Sequence, residues 1–263
     1  MSGANLDRAV GARRRSGSSD TSRMADGVVV LGSCGGWPSA GRACSGYLVS
    51  YRGARIVLDM GFGTAARLFS LVAVPDAVVI THAHPDHAVD LHALFRSLRY
   101  GPRRGPVPVY AAYGVAALMA AMDPPDAADV PAFLDFRPLP AQPCPVGPFV
   151  LRSYTLPHYV PNVGVRLEAP GLCVAYTGDT GPSPALAALA RDADLFIADC
   201  TDRPPLDLRP REAAWAAASG GARRLLLTHF WAGADRSACR RAAAEVFGGE
   251  ILVAEEGLEI PLP

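Results

Sequence analysis

Behind a short apolar run, the segment Val78-Val79-Ile80-Thr81-His82-Ala83-His84-Pro85-Asp86-His87 packs three histidines and an aspartate into six residues. In extended backbone alternate side chains share a face, so His82 and His84 project to the same side. Pro85 suits the first position of a helix, which sets Asp86 and His87 in the first turn. A strand must therefore end, and a helix begin, where four metal-competent side chains can converge. Histidine is otherwise scarce, with six in 263 residues.

The remaining candidates occupy similar positions. His158 follows the run 149–155 in Leu156-Pro157-His158, Asp179 follows 172–177 in Thr177-Gly178-Asp179-Thr180, and His229 closes Leu225-Leu226-Leu227-Thr228-His229. A single polar residue at a strand end is ordinary, whereas its recurrence predicts a common rim. His92 falls off the Leu91, Leu94, Phe95, Leu98 stripe of the helix after the motif and is expected to stand apart.

Strand-like runs alternate with amphipathic helices, the pattern of a layered α/β domain. Strands are expected at 27–32, 45–51, 54–59, 77–81, 107–111, 149–155, 163–168, 172–177, 194–199, 223–228 and 250–254, the early ones as hairpins. Ser183-Pro184 reads as a helix start, and Asp235 opens a helix that Gly248 closes. The proline-rich stretch Pro138 to Pro148 is the expected connection between halves. Residues 1–24, rich in Gly, Ser and Arg, hold too few large apolar side chains to order themselves. A disordered tail is expected there, with one domain over 25–263.

Composition removes several mechanisms. All 25 basic residues are arginine, so neither a P-loop lysine nor a Schiff-base amine is present. The 25 acids balance them, and zero net charge argues against strong nucleic-acid binding. No window approaches the roughly 18 apolar residues of a membrane span, and no secretory signal is evident, so a cytoplasmic protein without membrane partners is expected. A homodimer stays open. Cys34, Cys44, Cys144, Cys173, Cys200 and Cys239 include no C-x-x-C pair and read as reduced thiols, Cys34 and Cys173 as buried ones.

H-A-H-P-D-H, the later His158, T-G-D-T and T-H-F together resemble the metallo-β-lactamase-fold hydrolases, over about residues 27 to 255. The resemblance implies an α/β four-layered αββα sandwich with its metal site at one sheet edge. It implies that His82, His84 and His158 hold one metal, that Asp86, His87 and His229 hold a second, and that Asp179 bridges them. Asp59, in Val57-Leu58-Asp59-Met60-Gly61, matches the family's strand-ending Asp-x-Gly and would orient the ligands from behind; a cap on the turn at Gly61 explains it equally well. Two Zn2+ ions suit the donors, and Mn2+ or Fe is compatible with them. Two ions about 3.5–4 Å apart can share a hydroxide whose pKa falls towards about 7, which makes Asp86 and Asp179 the catalytic carboxylates.

The segments Leu31-Gly32-Ser33-Cys34-Gly35-Gly36-Trp37-Pro38, Arg42-Ala43-Cys44-Ser45-Gly46-Tyr47-Leu48 and Leu227-Thr228-His229-Phe230-Trp231 resemble the ribonuclease Z-like and cyclic-nucleotide phosphodiesterase branch. That implies a phosphodiester substrate. Asp199-Cys200-Thr201 stands where the branch commonly has Glu-Ala-Ser/Thr, so the acid is kept but shortened. The interval between His158 and Asp179 is short for the basic arm of a ribonuclease Z, which favours a small phosphodiester such as a cyclic nucleotide over pre-tRNA. Rival readings are a zinc hydrolase of a lactone, thioester or β-lactam, a tRNA 3′-processing endoribonuclease, iron-dependent oxidoreduction, and a binding module without catalysis. Trp37 and Trp231 flank the motif residues and either stack on a base or pack under their loops. Arg42 is the nearest candidate to neutralise a phosphate oxygen.

Overall fold

A computed structural model describes residues 25–102, 105–139 and 142–263; the expected tail lies outside them. The first sheet is built from β1 (Gly27–Gly32), β2 (Gly46–Tyr51), β3 (Ala54–Leu58), β4 (Ala77–Ile80), β5 (Val107–Ala112) and β6 (Leu134–Leu139). The second takes β7 (Cys144–Val146), β8 (Phe149–Leu156), β9 (Asn162–Ala169), β10 (Leu172–Tyr176), β11 (Leu195–Asp199), β12 (Arg224–Thr228) and β13 (Glu250–Val253). A last strand, β14 (Glu259–Pro261), returns to the first sheet and pairs with β1. Apart from β14, each sheet follows chain order from edge to edge, β14-β1-β2-β3-β4-β5-β6 and β13-β12-β11-β10-β9-β8-β7. Each also begins as an antiparallel meander and continues as parallel strands, from β3 in one and from β10 in the other.

The side-chain alternation of the strands explains the layering. Val28 and Val30 of β1 face the core between the sheets, while Val29 and Leu31 face the opposite way. In β12 Leu226 points inward and Leu225 and Leu227 outward. Both faces are covered, which is why the parallel strands read as unbroken apolar runs. Helices α1 (Thr64–Leu71), α3 (Leu91–Tyr100) and α4 (Val115–Met122) cover the first sheet, and the single turn α2 (Pro85–Ala88) lies between α1 and α3. Helices α5 (Ala185–Leu189), α6 (Pro210–Gly220) and α7 (Arg236–Ala244) cover the second. The result is the four-layered αββα sandwich. Among the described residues no helix is long and apolar enough to cross a membrane.

Three strands, β6, β7 and β14, escape the sequence reading. Pro138 lies inside β6, and a strand containing proline is tolerated here because β6 is an edge. The stretch 138–148 does pass from one sheet to the other, but mostly as edge strand rather than as linker at its described positions. The return of β14 also means that the two sheets are not strictly successive halves of the chain. Helix α7 stops at Ala244 rather than at Gly248; beyond it Val246 N and Phe247 N both donate to Ala243 O in a tightened last turn, and the Phe247 ring is buried. Its start agrees with the reading, since Asp235 Oδ1 accepts from Ala238 N at 2.8 Å. Ser183 Oγ likewise accepts from Ala185 N at 3.2 Å, although Pro184 sits just outside α5. All six cysteines are free, with Cys34 and Cys173 buried.

Candidate metal centre

The carboxyl ends of β4, β10 and β12, together with the turn after β8, deliver the site. Strand β4 ends at Ile80, and Thr81 leads into His82 and His84; α2 then starts at Pro85 and turns Asp86 and His87 back towards them. Asp179 follows β10, His229 follows β12, and His158 follows β8. These seven side chains form two groups of possible ligands, His82–His84–His158–Asp179 and Asp86–His87–Asp179–His229, with the atoms in each group within 4.8 Å of one another. Asp179 belongs to both. His92 lies elsewhere, its Nε2 3.1 Å from Asp123 Oδ2.

The contacts inside the groups are those of ligand atoms aimed at a common point. His82 Nε2 lies 3.1 Å from His84 Nδ1, and His158 Nε2 lies 3.2 Å from the same atom. His87 Nε2 meets His229 Nε2 at 3.2 Å, and His229 Nε2 lies 3.2 Å from both Asp86 Oδ2 and Asp179 Oδ2. Asp179 Oδ2 is 3.8 Å from His82 Nε2 and from His158 Nε2. Its buried Oδ1 lies 3.1 Å from His87 Nε2 yet makes no hydrogen bond of acceptable geometry.

The protons of these imidazoles are held on the outside of the cluster. His87 Nδ1 donates to Asp59 Oδ2 at 2.7 Å, and His158 Nδ1 donates to Leu206 O at 3.2 Å. Thr201 Oγ1 gives its single proton to Asp199 Oδ1 at 2.5 Å, so it accepts from His229 Nδ1 at 2.6 Å. Thr81 Oγ1 likewise donates to Asp59 Oδ2 at 2.8 Å and can accept from His82 Nδ1 at 3.1 Å. Each ring that spends its proton outward turns a bare lone pair inward. Lone pairs facing each other at 3.1–3.2 Å repel unless a cation lies between them, and a tetrahedral ion with bonds of about 2.0–2.1 Å would set nitrogen atoms roughly 3.3 Å apart.

The electrostatics agree. Burial, the largest single influence on His87, would lower its pKa, but Asp179, Asp86 and Asp59 together overcome it and push it up to about 10. His229 is raised well above its ordinary value against the same burial penalty, chiefly by Asp179, with Asp199 and Asp86 adding to it. His82 is depressed by burial and by neighbouring His87. The acids thus call for positive charge around the His87–His229 pair, where two protons cannot share one 3.2 Å gap. The donor set and its charge fit a divalent cation.

Other residues hold this arrangement, and several carried no sequence signal. Asp59, fully buried, accepts from Thr81 N at 2.7 Å, from Thr81 Oγ1, from His87 and from Tyr176 OH at 2.8 Å. Its side chain thus faces His87, Thr81 and Tyr176 rather than the turn at Gly61. Asp199 lies 3.5 Å from His229 Nδ1, and the Thr201 hydroxyl stands between them, 2.5 Å from Asp199 Oδ1 and 2.6 Å from His229 Nδ1. Tyr176, Thr81, Thr201 and the carbonyl of Leu206 carry no site signal in the sequence, because a buried Tyr or Thr at the end of an apolar run looks like core and a lone Thr or a backbone carbonyl in a loop has no pattern. Asp207 was also missed: it lies 3.8 Å from His158 Nδ1, and burial, with Asp199 and Asp179 adding, pushes its pKa up to about 7. Asp59 and His229 both adopt left-handed backbone, φ +57° and +62°, a conformation that costs about 1–3 kcal/mol per non-glycine residue and concentrates at functional sites.

Gly35 is required by contact and Gly36 by its left-handed backbone, φ +73°. Gly36 N donates to Asp86 Oδ2 at 2.6 Å, and a Cβ on Gly35 would lie 2.6 Å from His229 Cε1. Gly35→Ala is thus expected to displace the His229 ring and to weaken metal retention about 10–100-fold, as loss of a supporting contact does. Chelator competition reads this directly, and retention equal to that of the parent protein would contradict it.

The substrate residues of the sequence reading are placed less centrally. Trp37 is 46% exposed and meets Trp231 edge to face, with ring centroids 4.9 Å apart. Trp231 also carries the Arg203 guanidinium 3.5 Å over its ring, so it is packed on that side. Arg42 lines a cavity with Trp231 and is not brought into the ligand cluster.

The description "Beta-lactamase superfamily domain" matches residues 54–230, which contain all seven clustered side chains. The chain belongs to this superfamily of metallo-hydrolases. Within the family it is 32% identical over 257 residues to the uncharacterized protein ML1173 of Mycobacterium leprae, covering 90% of this chain and 89% of that one. A ribonuclease Z of Halorubrum lacusprofundi is 27% identical over 303 residues, covering 90% of this chain and 97% of the relative. Among solved structures, the metallo-β-lactamase-fold protein YhfI of Bacillus subtilis superposes with a TM-score of 0.78 at 26% identity, over 89% of this chain and 98% of YhfI.

Proposed function

We propose that this family member is a two-zinc phosphodiesterase acting on a small phosphodiester such as a cyclic nucleotide. The observation that carries the reading is the pair of donor groups sharing Asp179, because two adjacent cations can clamp the attacking and leaving oxygens of an in-line displacement. His82, His84 and His158 would hold one ion and Asp86, His87 and His229 the other, with Asp179 common to both; Mn2+ or Fe suits the same nitrogen and oxygen donors. When bound, the ions supply Lewis acidity and lower the pKa of water towards about 7.

The chain's own groups do the positioning. Asp59, Thr201 and Leu206 O hold the imidazole protons outward, and Gly36 N–H fixes Asp86 Oδ2, the carboxylate oxygen placed to orient a nucleophile or take its proton. The side chains of His82, Asp86, His87, His158, Asp179 and His229 are buried, whereas His84 is half-buried, so substrate approaches from the side of His84, near the exposed ring of Tyr159 that packs on His158. The ribonuclease Z relative favours phosphorus over an acyl centre. The interval from His158 to Asp179 is taken up by the tight β9–β10 hairpin and carries no arm, which favours a compact substrate over pre-tRNA. Of the two tryptophans, exposed Trp37 is the one free to stack on a base.

Metal analysis combined with parallel turnover of bis(p-nitrophenyl) phosphate, a cyclic nucleotide and a chromogenic β-lactam tests the assignment. The expected result is two metal equivalents and preferred cleavage of a phosphodiester. Base stacking is worth about 1–3 kcal/mol, so Trp37→Ala is expected to raise KM for the cyclic nucleotide roughly 5–100-fold with kcat kept, the signature of lost uniform binding. Faster hydrolysis of the β-lactam by the parent protein would move the assignment to the acyl class.

A further inference from the structure

We infer that a cavity behind the Trp37–Trp231 pair is an oxyanion site for a second phosphate group on the substrate, an inference that rests on the phosphodiester reading above. The cavity has a volume of about 470 Å³, and its walls include Cys34, Ser39, Arg42, Phe230, Trp231 and Arg236. Arg42 and Arg236 are both partly buried, and among the described residues no carboxylate oxygen comes within 4.0 Å of either guanidinium. Arg236 is held in place: its Nη1 donates to Ala254 O at 2.8 Å, and its guanidinium lies 4.8 Å from the centre of the Phe230 ring. Burial, and next the positive charge of Arg42, lower its pKa.

The nearby acids are engaged elsewhere. Asp235 lines the cavity, but its Oδ1 caps α7 through Ala238 N and its Oδ2 lies 3.9 Å from Arg241 Nη2. Glu256 Oε1 accepts from both Ser33 N and Ser33 Oγ. Glu256 and Glu255 act on Arg236 only from beyond ion-pair distance, so two like charges over one cavity without a directly paired carboxylate favour an entering anion, and guanidinium groups match a phosphate through paired charge-assisted hydrogen bonds.

Position ties this cavity to the reacting centre. Trp231 follows the ligand His229 by two residues, a span of at most about 7 Å, and the opposite wall continues into Gly35 and Gly36, which touch His229 and Asp86. The cavity wall at Cys34 is thus joined to the clustered side chains by the Gly35-Gly36 turn, and a second phosphate on a substrate held at the cluster is the group placed to enter it. The site thereby favours a nucleotide phosphodiester, cyclic or open, that carries a further phosphate over the same ester without it.

The test compares thymidine 5′-(p-nitrophenyl phosphate) with its 3′-phosphorylated form on the metal-loaded protein. The added phosphate is expected to lower KM about tenfold or more at similar kcat. Arg236→Gln should erase that advantage with its denaturation midpoint unchanged, and Arg236→Lys should restore part of it. Equal KM values for the two esters, or an equal effect of Arg236→Gln on both, would overturn the inference. Failure to cleave either ester would count against the phosphodiester reading alone. The cavity is then read by calorimetric titration with thymidine 3′,5′-bisphosphate and with inorganic phosphate. Binding of the bisphosphate weakened about tenfold in Arg236→Gln supports the site, unchanged binding overturns it, and an effect confined to inorganic phosphate overturns its assignment to a substrate group.

Discussion

Asp179→Ala is expected to strip the protein of essentially all its metal, whereas His229→Ala is expected to keep roughly half. Asp179 is the one side chain common to both ligand groups, with Oδ2 3.8 Å from His82 and His158 and 3.2 Å from His229, and Oδ1 3.1 Å from His87. Its removal takes a negative charge from each group and leaves the facing imidazoles of each with one donor fewer. His229 serves a single group, and His82, His84, His158 and Asp179 still stand in the other. Elemental analysis after purification without chelator distinguishes the two variants. Equal loss from both would sink the division of ligands into two groups joined by Asp179.

Asp59→Ala is expected to give the largest effect of any residue that does not itself face the ligand cluster. Four donors converge on this fully buried carboxylate: Thr81 N, Thr81 Oγ1, His87 Nδ1 and Tyr176 OH. Alanine leaves them all without an acceptor, and breaking a buried charged network in this way costs about 3–5 kcal/mol. It also frees His87 to rotate or to change tautomer, which is expected to lower metal affinity about 10–100-fold. Thermal denaturation and chelator competition measure the two effects separately. Should Asp59→Ala bind metal as tightly as the parent protein, Asp59 would be a structural residue with no hold on His87.

The candidate ligand cluster was legible because metal chemistry demands particular side chains and the fold presents them at particular places. The H-A-H-P-D-H segment announces itself by density, and His158, Asp179 and His229 by their recurrence at the ends of apolar runs. Those runs are apolar because both faces of each sheet are covered, one by the other sheet and one by helices. The same logic hid β6, β7 and β14, edge strands that each carry a proline and take their pairing from a neighbour rather than from their own pattern.

By itself, then, the sequence determined the class of fold, the central strands and the chemical identity of the clustered side chains, since local spacing and hydrophobic periodicity are properties of the chain alone. Only the tertiary structure decided which ring nitrogen faces the centre, because that depends on partners far away in sequence: Asp59 for His87, Leu206 O for His158, and Thr201, held by Asp199, for His229. It also decided that Trp231 packs beneath Arg203 while Trp37 remains exposed, and that Arg42 shares a cavity with Arg236 rather than joining the ligand cluster. A hydrogen bond or a packed ring needs two surfaces brought together, and these pairs lie too far apart along the chain for any local pattern to register them.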